Sequence, residues 1–496
     1  MRAVIWRTAL IGVACAVAAC SGGGAPGGGN QAGGAPGTAS SGTAPPGAAS
    51  LPLKTLGPGA SSSGANPAAA WPTRNQNAAR TGVAVGLPAA GPLTQRWTAH
   101  LDGAVYGQPL VVGTMVIAAT ENDTVYALDS STGRVVWHTH VGTPVPLSSL
   151  PCGNIDPLGI TGTPVYDQGN GLVYAVAETT GYHHVLFGFA VSDGTVKVER
   201  DIPAPDGHPR NDQQRPALTI AGGRVYVAFG GLAGDCEQYI GSVVGIPLSG
   251  GGKLVSWHTP TSREGAVWAT GGPVVGPGGD LWLSTGNGAT TTPSQPYDGS
   301  DSVVRLRLTP DQRLVRVDFF APATWAQENA TDADLGSTQP VLAADDSTFI
   351  MGKSATGYVL STTSLGGIGH PRAAQRICHA YGAASVDGST VYEPCMSGGM
   401  AAIAVNAAQR KIRVLWRGPS DANGSPVVGG GAVWVTHYNF SGSDSGGTLY
   451  QLDPADGAVK SRLEISDGLP HFSSLSLAGG TAFLGTLKGV VAVNGA

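Results

Sequence analysis

Charge is scarce in this chain: only 12% of its 496 residues are Asp, Glu, Lys or Arg, and their balance is -5. No stretch gathers Lys and Arg into a stripe that could replace phosphate counterions, so nucleic acid is set aside as a partner. Long apolar runs are missing too. The run inside "MRAVIWRTALIGVACAVAAC" is too short to cross a bilayer. Beyond residue 20 only four cysteines remain, Cys152, Cys236, Cys378 and Cys395, and their spacing fits neither a zinc pattern nor a Cys-x-x-Cys-His haem attachment. What the chain has in quantity is Gly, 76 residues, and Pro, 35 residues. Glycine without charge implies many tight turns between many short strands, or long linkers.

Both occur. Residues 1–20 carry Arg2 and Arg7, then a short apolar segment and a small-residue site ending on Cys20, the pattern of a secretory signal. "VAAC" followed by Ser-Gly-Gly-Gly resembles a bacterial lipobox, which implies a lipid on the Cys20 thiol and a place on the extracytoplasmic face of the cell membrane. Residues 21–68 are Gly, Ala, Ser, Pro and Thr with almost no charge; such a segment is expected to stay disordered and serve as a tether. An even cysteine count in an exported chain favours disulfides. Three pairings are possible; the short separation favours Cys378 with Cys395, leaving Cys152 with Cys236.

From residue 69 onward a unit recurs. "TENDTVYALDSSTGRVVWHT" (120–139) reads as two alternating strands around a polar turn, preceded by "YGQPLVVGTMVIAAT". Blurred copies follow, each with four strand-like runs over ~45 residues, the period of a propeller blade. Seven are complete and the eighth, "SSLSLAGGTAFLGTLKGVVAVNGA", stops after its third strand. "PLTQRWTAHL" (92–101) supplies the missing strand, setting Trp97 where other units have Trp137, Trp257 and Trp416. The expected fold is all-β, an eight-bladed propeller closed by an N-terminal strand, with the tryptophans packing between blades.

The unit "VYALDSSTGRVVW" resembles the repeat of quinoprotein dehydrogenases and of their non-catalytic relatives, the outer-membrane assembly propellers; the likeness begins at "WPTRNQNAARTG" and covers most of residues 71–496. Polyvinyl-alcohol dehydrogenase-like proteins are the branch it resembles most. "VWATGGPVVGPGGDLWLSTGNG" is similar to the stretch that carries the tryptophan under the quinone and an asparagine that ligates the metal. That resemblance implies Trp268 as stacking floor and Asn287 as ligand. "TDADLGSTQPVL" implies Asp332 or Asp334 as catalytic carboxylate and metal neighbour, "MGKSATGYVLSTTS" implies Lys353 against the quinone oxygens, and "GDCEQYIGSVVGI" implies a carboxylate ligand at Asp235 or Glu237. The implied cofactors are pyrroloquinoline quinone (PQQ) and Ca²⁺ or a lanthanide.

That set is chemically coherent. A flat quinone needs an aromatic floor, its oxygens need a hard cation with oxygen ligands, and a carboxylate can draw the proton from an alcohol. The chain departs from the alcohol dehydrogenases in having no two adjacent cysteines, no haem motif and no Trp beside the Asp loop. Two functions therefore stand side by side: a lipid-anchored surface propeller acting as a binding or scaffold module for a protein or glycan, and a PQQ- and metal-dependent dehydrogenase of alcohols or polyols. The adjacent His183 and His184, on a strand, point to opposite faces and are expected at the surface.

Overall fold

Alternating apolar residues fold each unit into antiparallel strands. The computed structural model describes residues 70–440 and 444–495; the expected signal peptide 1–20, Cys20 and the linker 21–68 lie outside them. The strands form eight separate sheets, the blades of an all-β propeller. Blade 1 runs through Leu110–Val112, Met115–Ala119, Thr124–Asp129 and Val135–His140. The inner strands of blades 2 to 7 are Val165–Asp167, Thr219–Ala221, Val274–Val275, Val341–Ala343, Ser385–Asp387 and Val427–Gly429. Inner strands of successive blades touch around most of the ring, which puts them on the axis. Blade 8 has Leu475–Ala478, Thr481–Thr486 and Gly489–Asn494, and Thr94–His100 completes it, with Thr94 opposite Asn494 and His100 opposite Gly489. No open edge is left at the seam. Among the described residues no helix is long and apolar enough to cross a membrane.

Three of the four repeated tryptophans lock one blade to the next. Trp97, Trp137 and Trp416 sit on outer strands and donate their indole N–H to Ser130, Val191 and Pro454 carbonyls in the next blade's outer turn, at 3.1, 2.9 and 2.8 Å. Each turn ends on a glycine with positive φ beneath the ring. A Cβ on Gly194 would lie 2.5 Å from Trp137, and one on Gly457 would lie 2.5 Å from Trp416. The Thr-Gly and Asp-Gly turns are therefore fixed twice, by backbone handedness and by the indole above them.

Disulfides join Cys152 to Cys236 and Cys378 to Cys395. The two histidines do point apart, His183 outward beside Asp201, but His184 is not at the surface. It is buried opposite Glu178, ring to carboxylate 3.2 Å, because the cross-strand acid gives it a partner inside the sheet.

Residues 71–84 form a loop inserted into the base of the ring. Trp71 bridges Val111 of blade 1, Ala78 O accepts from Val275 of blade 4, and Thr81 O accepts from Val386 of blade 6. The Arg80 guanidinium donates to Leu218 O and Thr219 Oγ1 of blade 3, both at 2.7 Å. Val83–Ala84 then pairs in parallel with Val427–Gly429. One short segment thus ties blades far apart in sequence.

Candidate functional site

Two hairpins position the residues singled out from the sequence. In blade 4 Val274 pairs with Trp282, so Trp268, ahead of the inner strand, and Asn287, just past Leu281–Thr285, return to the same end. In blade 5 the pairing of Val341 with Phe349 does the same for Asp332, Asp334 and Lys353. All five line a funnel-shaped cavity of about 710 Å³, together with Asp235, Glu264, Arg215, Tyr381, Phe440 and Phe472. That is the size of an ordinary small-molecule site. Glu237 is exposed and lies outside this lining, whereas Asp235 is in it, its carboxylate accepting the Tyr239 hydroxyl at 2.6 Å.

The floor is a closed polar circuit. The Asn287 backbone N–H donates to Asp334 Oδ1 at 2.6 Å and its side-chain amide donates to Asp332 Oδ1 at 2.8 Å. Lys353 Nζ stands between the two acids, 2.5 Å from Asp332 Oδ1 and 2.6 Å from Asp334 Oδ2, and 5.6 Å above the Trp268 ring. Glycine makes this approach possible: a Cβ on Gly286 would fall 2.3 Å from Asp334 Oδ1, and one on Gly352 would fall 2.2 Å from Asp334 O. Burial holds the Asp334 carboxyl above its ordinary range, while Lys353 and the Asn287 N–H limit the rise. For Lys353 burial works against the charge, yet Asp334 and Asp332 outweigh it and the ammonium is held more firmly than usual.

Sequence reasoning missed several residues. Glu264, in the run ahead of Trp268, is pushed up to about 6 by burial; Arg263 opposes the rise, and Asp235, Asp334 and Asp332 add to it. Its only sequence signal is a lone acid before an apolar stretch. Tyr381 and Phe472 stack with centroids 6.1 Å apart and planes 8° apart, Trp268 lies 6.4 and 6.1 Å from them, and Phe440, 56% exposed, leans on both. The result is an aromatic run from the rim to the floor.

Does this donor set fit a quinone with a hard cation? Trp268 gives an aromatic surface, Lys353 a counter-charge, and Asn287 Oδ1 is buried without a partner. The cation half does not fit as the side chains stand. Both Asp334 oxygens are already bonded, one by Asn287 and one by Lys353, and among the described residues no three His, Cys, Asp or Glu groups gather as metal ligands.

Residues 94–280 match the family model described as outer membrane protein assembly factor BamB. No curated protein matches the chain. Among solved structures it is similar to the quinohemoprotein alcohol dehydrogenase of Pseudomonas putida, at 14% identity and a TM-score of 0.66, over 86% of this chain and 80% of that one. A europium-containing methanol dehydrogenase matches at 14% identity and a TM-score of 0.59, over 84% of this chain and 89% of that one. BamB of Moraxella catarrhalis matches at 14% identity and a TM-score of 0.55, over 81% of this chain and 99% of that one. The chain is an eight-bladed β-propeller whose likeness in fold extends to alcohol and methanol dehydrogenases and to BamB alike.

Proposed function

We propose that this propeller is a surface binding module whose funnel takes a polyhydroxylated ligand, a glycan or polyol, and that a lipid on Cys20 and the tether of residues 21–68 hold it on the extracytoplasmic face of the membrane. One observation carries the reading: the exposed Phe440 continues through Tyr381 and Phe472 to Trp268, above a floor of carboxylates. Flat rings pack against the C–H faces of a sugar while Asp332, Glu264 and Asp235 accept from its hydroxyls. Isothermal titration of the mature protein with neutral oligosaccharides and polyols tests it. Binding should weaken about tenfold or more in Phe440→Ala and in Glu264→Gln; equal affinities in both variants would sink the idea. For the anchor, Cys20→Ala should move the protein from the membrane to the soluble fraction.

A second reading, PQQ- and metal-dependent oxidation of alcohols or polyols, draws on the partnerless Asn287 Oδ1 beside Trp268. It requires Lys353 to leave Asp334. Adding PQQ with Ca²⁺ or a lanthanide and following dye reduction with an alcohol panel tests it, and saturable binding lost in Asn287→Ala would favour it over the first.

A further inference from the structure

The segments leading into the inner strands cross the axis in register. Four residues ahead of the inner strands of blades 1, 2, 3, 4 and 8 stand Tyr106, Thr161, Arg215, Thr270 and His471. With Arg74, from the tip of the inserted loop, they line a small cavity of about 10 Å³. That is about the room of one water or one monatomic ion. Arg215 and Phe472 line both this cavity and the funnel above it.

The polar atoms here are short of partners. Arg74 Nε and Nη2, Thr270 Oγ1 and His471 Nε2 are all buried with none. The charges are unbalanced as well. Arg74 and Arg80 are each 1% exposed, and guanidinium groups stay charged. Arg80 spends its donors on neutral oxygens of Thr73, Arg74, Leu218 and Thr219. Arg215 lies over the Phe472 ring at 5.4 Å. Glu121, which accepts from Thr161 at 3.1 Å, is the carboxylate that acts on Arg215, and burial pushes it up to about 7. One carboxylate cannot offset three buried guanidinium groups, and uncompensated charge in such a place is strongly unfavourable. Water would satisfy the donors but would leave the charge.

We propose that this axial cavity is a halide site, binding one chloride between Arg74 and Arg215 with Thr270 and His471 as further donors. The orphaned atoms that line it, on Arg74, Thr270 and His471, can all donate. The ion would fasten the inserted loop to blades 3, 4 and 8 and form the underside of the funnel.

Crystals of the mature chain soaked in sodium bromide give the direct test. An anomalous bromine peak in the cavity within hydrogen-bonding reach of Arg74 is expected; a cavity holding water density without anomalous signal overturns the proposal. In solution, the melting temperature should rise by roughly 1–2 °C for each tenfold increase in chloride above saturation. Sodium gluconate at the same ionic strength should give no such rise; an equal rise would mean general salt stabilisation and would refute the site. Arg74→Gln should abolish the chloride dependence. Because that loop helps hold the ring together, Thr270→Val, which keeps every charge, provides a second variant and should shift the dependence to higher chloride. A response identical to the parent in the variants that fold overturns the assignment.

Discussion

Asn287 and Asp334 come from either side of the junction between blades 4 and 5, and a 2.6 Å bond from the Asn287 backbone N–H to Asp334 Oδ1 ties them. Because the donor is backbone, the order of the funnel floor depends on the acid at 334 more than on the amide at 287. Asp334→Asn should then destabilise the fold by roughly 1–3 kcal/mol, since it leaves the half-buried Lys353 with only the exposed Asp332. Asp332→Asn, at a carboxylate 67% exposed, should stay within about 1 kcal/mol. Urea unfolding of both variants measures the difference, and equal losses would contradict it.

Stability should fall as pH rises from about 4.5 to about 7. Burial raises Glu121 from 4.5 to about 7, and it raises Glu264 and Glu328 to about 6. In that window the unfolded chain releases these protons first, so the folded state binds more of them and each step up in pH favours unfolding. Melting curves at pH 5 and pH 7.5 should show the lower temperature at pH 7.5. Glu121→Gln should flatten the dependence; an unchanged slope would show that the acid is not the source.

Blade docking can be probed at one turn. Gly194→Ala puts a Cβ 2.5 Å from Trp137 at a φ of +74°, so it should cost roughly 1–3 kcal/mol. Trp137→Phe keeps an aromatic ring but loses the bond to Val191 O and should cost about 1 kcal/mol for that bond beyond the packing lost. If Gly194→Ala melts with the parent, the indole does not fix the turn.

Deleting residues 92–101 removes the strand that pairs with Gly489–Asn494. The exposed edge should lower the melting temperature and promote association, which light scattering and calorimetry would report. A truncated chain that stays monomeric and melts with the parent would argue against closure by this strand.

The propeller was legible because period-2 alternation and a recurring turn repeat along the chain, and Trp97 matches Trp137 closely enough to place the closing strand. Trp268, Asn287, Asp334 and Lys353 were singled out by resemblance to quinoprotein motifs; that they meet was legible because each flanks a hairpin whose ends must return together. Tyr381, Phe472 and Arg215 were not: they come from connectors on different blades, and only ring closure makes them neighbours. The strand alternation that separates His183 from His184 also fails past Asp235, where Asp235 and Glu237 both adopt positive φ and the carboxylates no longer follow a sheet. His184 was misread because its partner Glu178 lies on another strand.

The inserted loop also gives the ring a front and a back. Trp71 and Val83–Ala84 meet the inner strands near the turns that close the inner hairpins, and Ala90 bonds Gly430 in one of those turns. Trp268 and Asn287 lie at the opposite ends of the same hairpins. The chain therefore enters from behind. The described chain thus begins at the rear of the disc, and the mouth of the funnel opens on the opposite side.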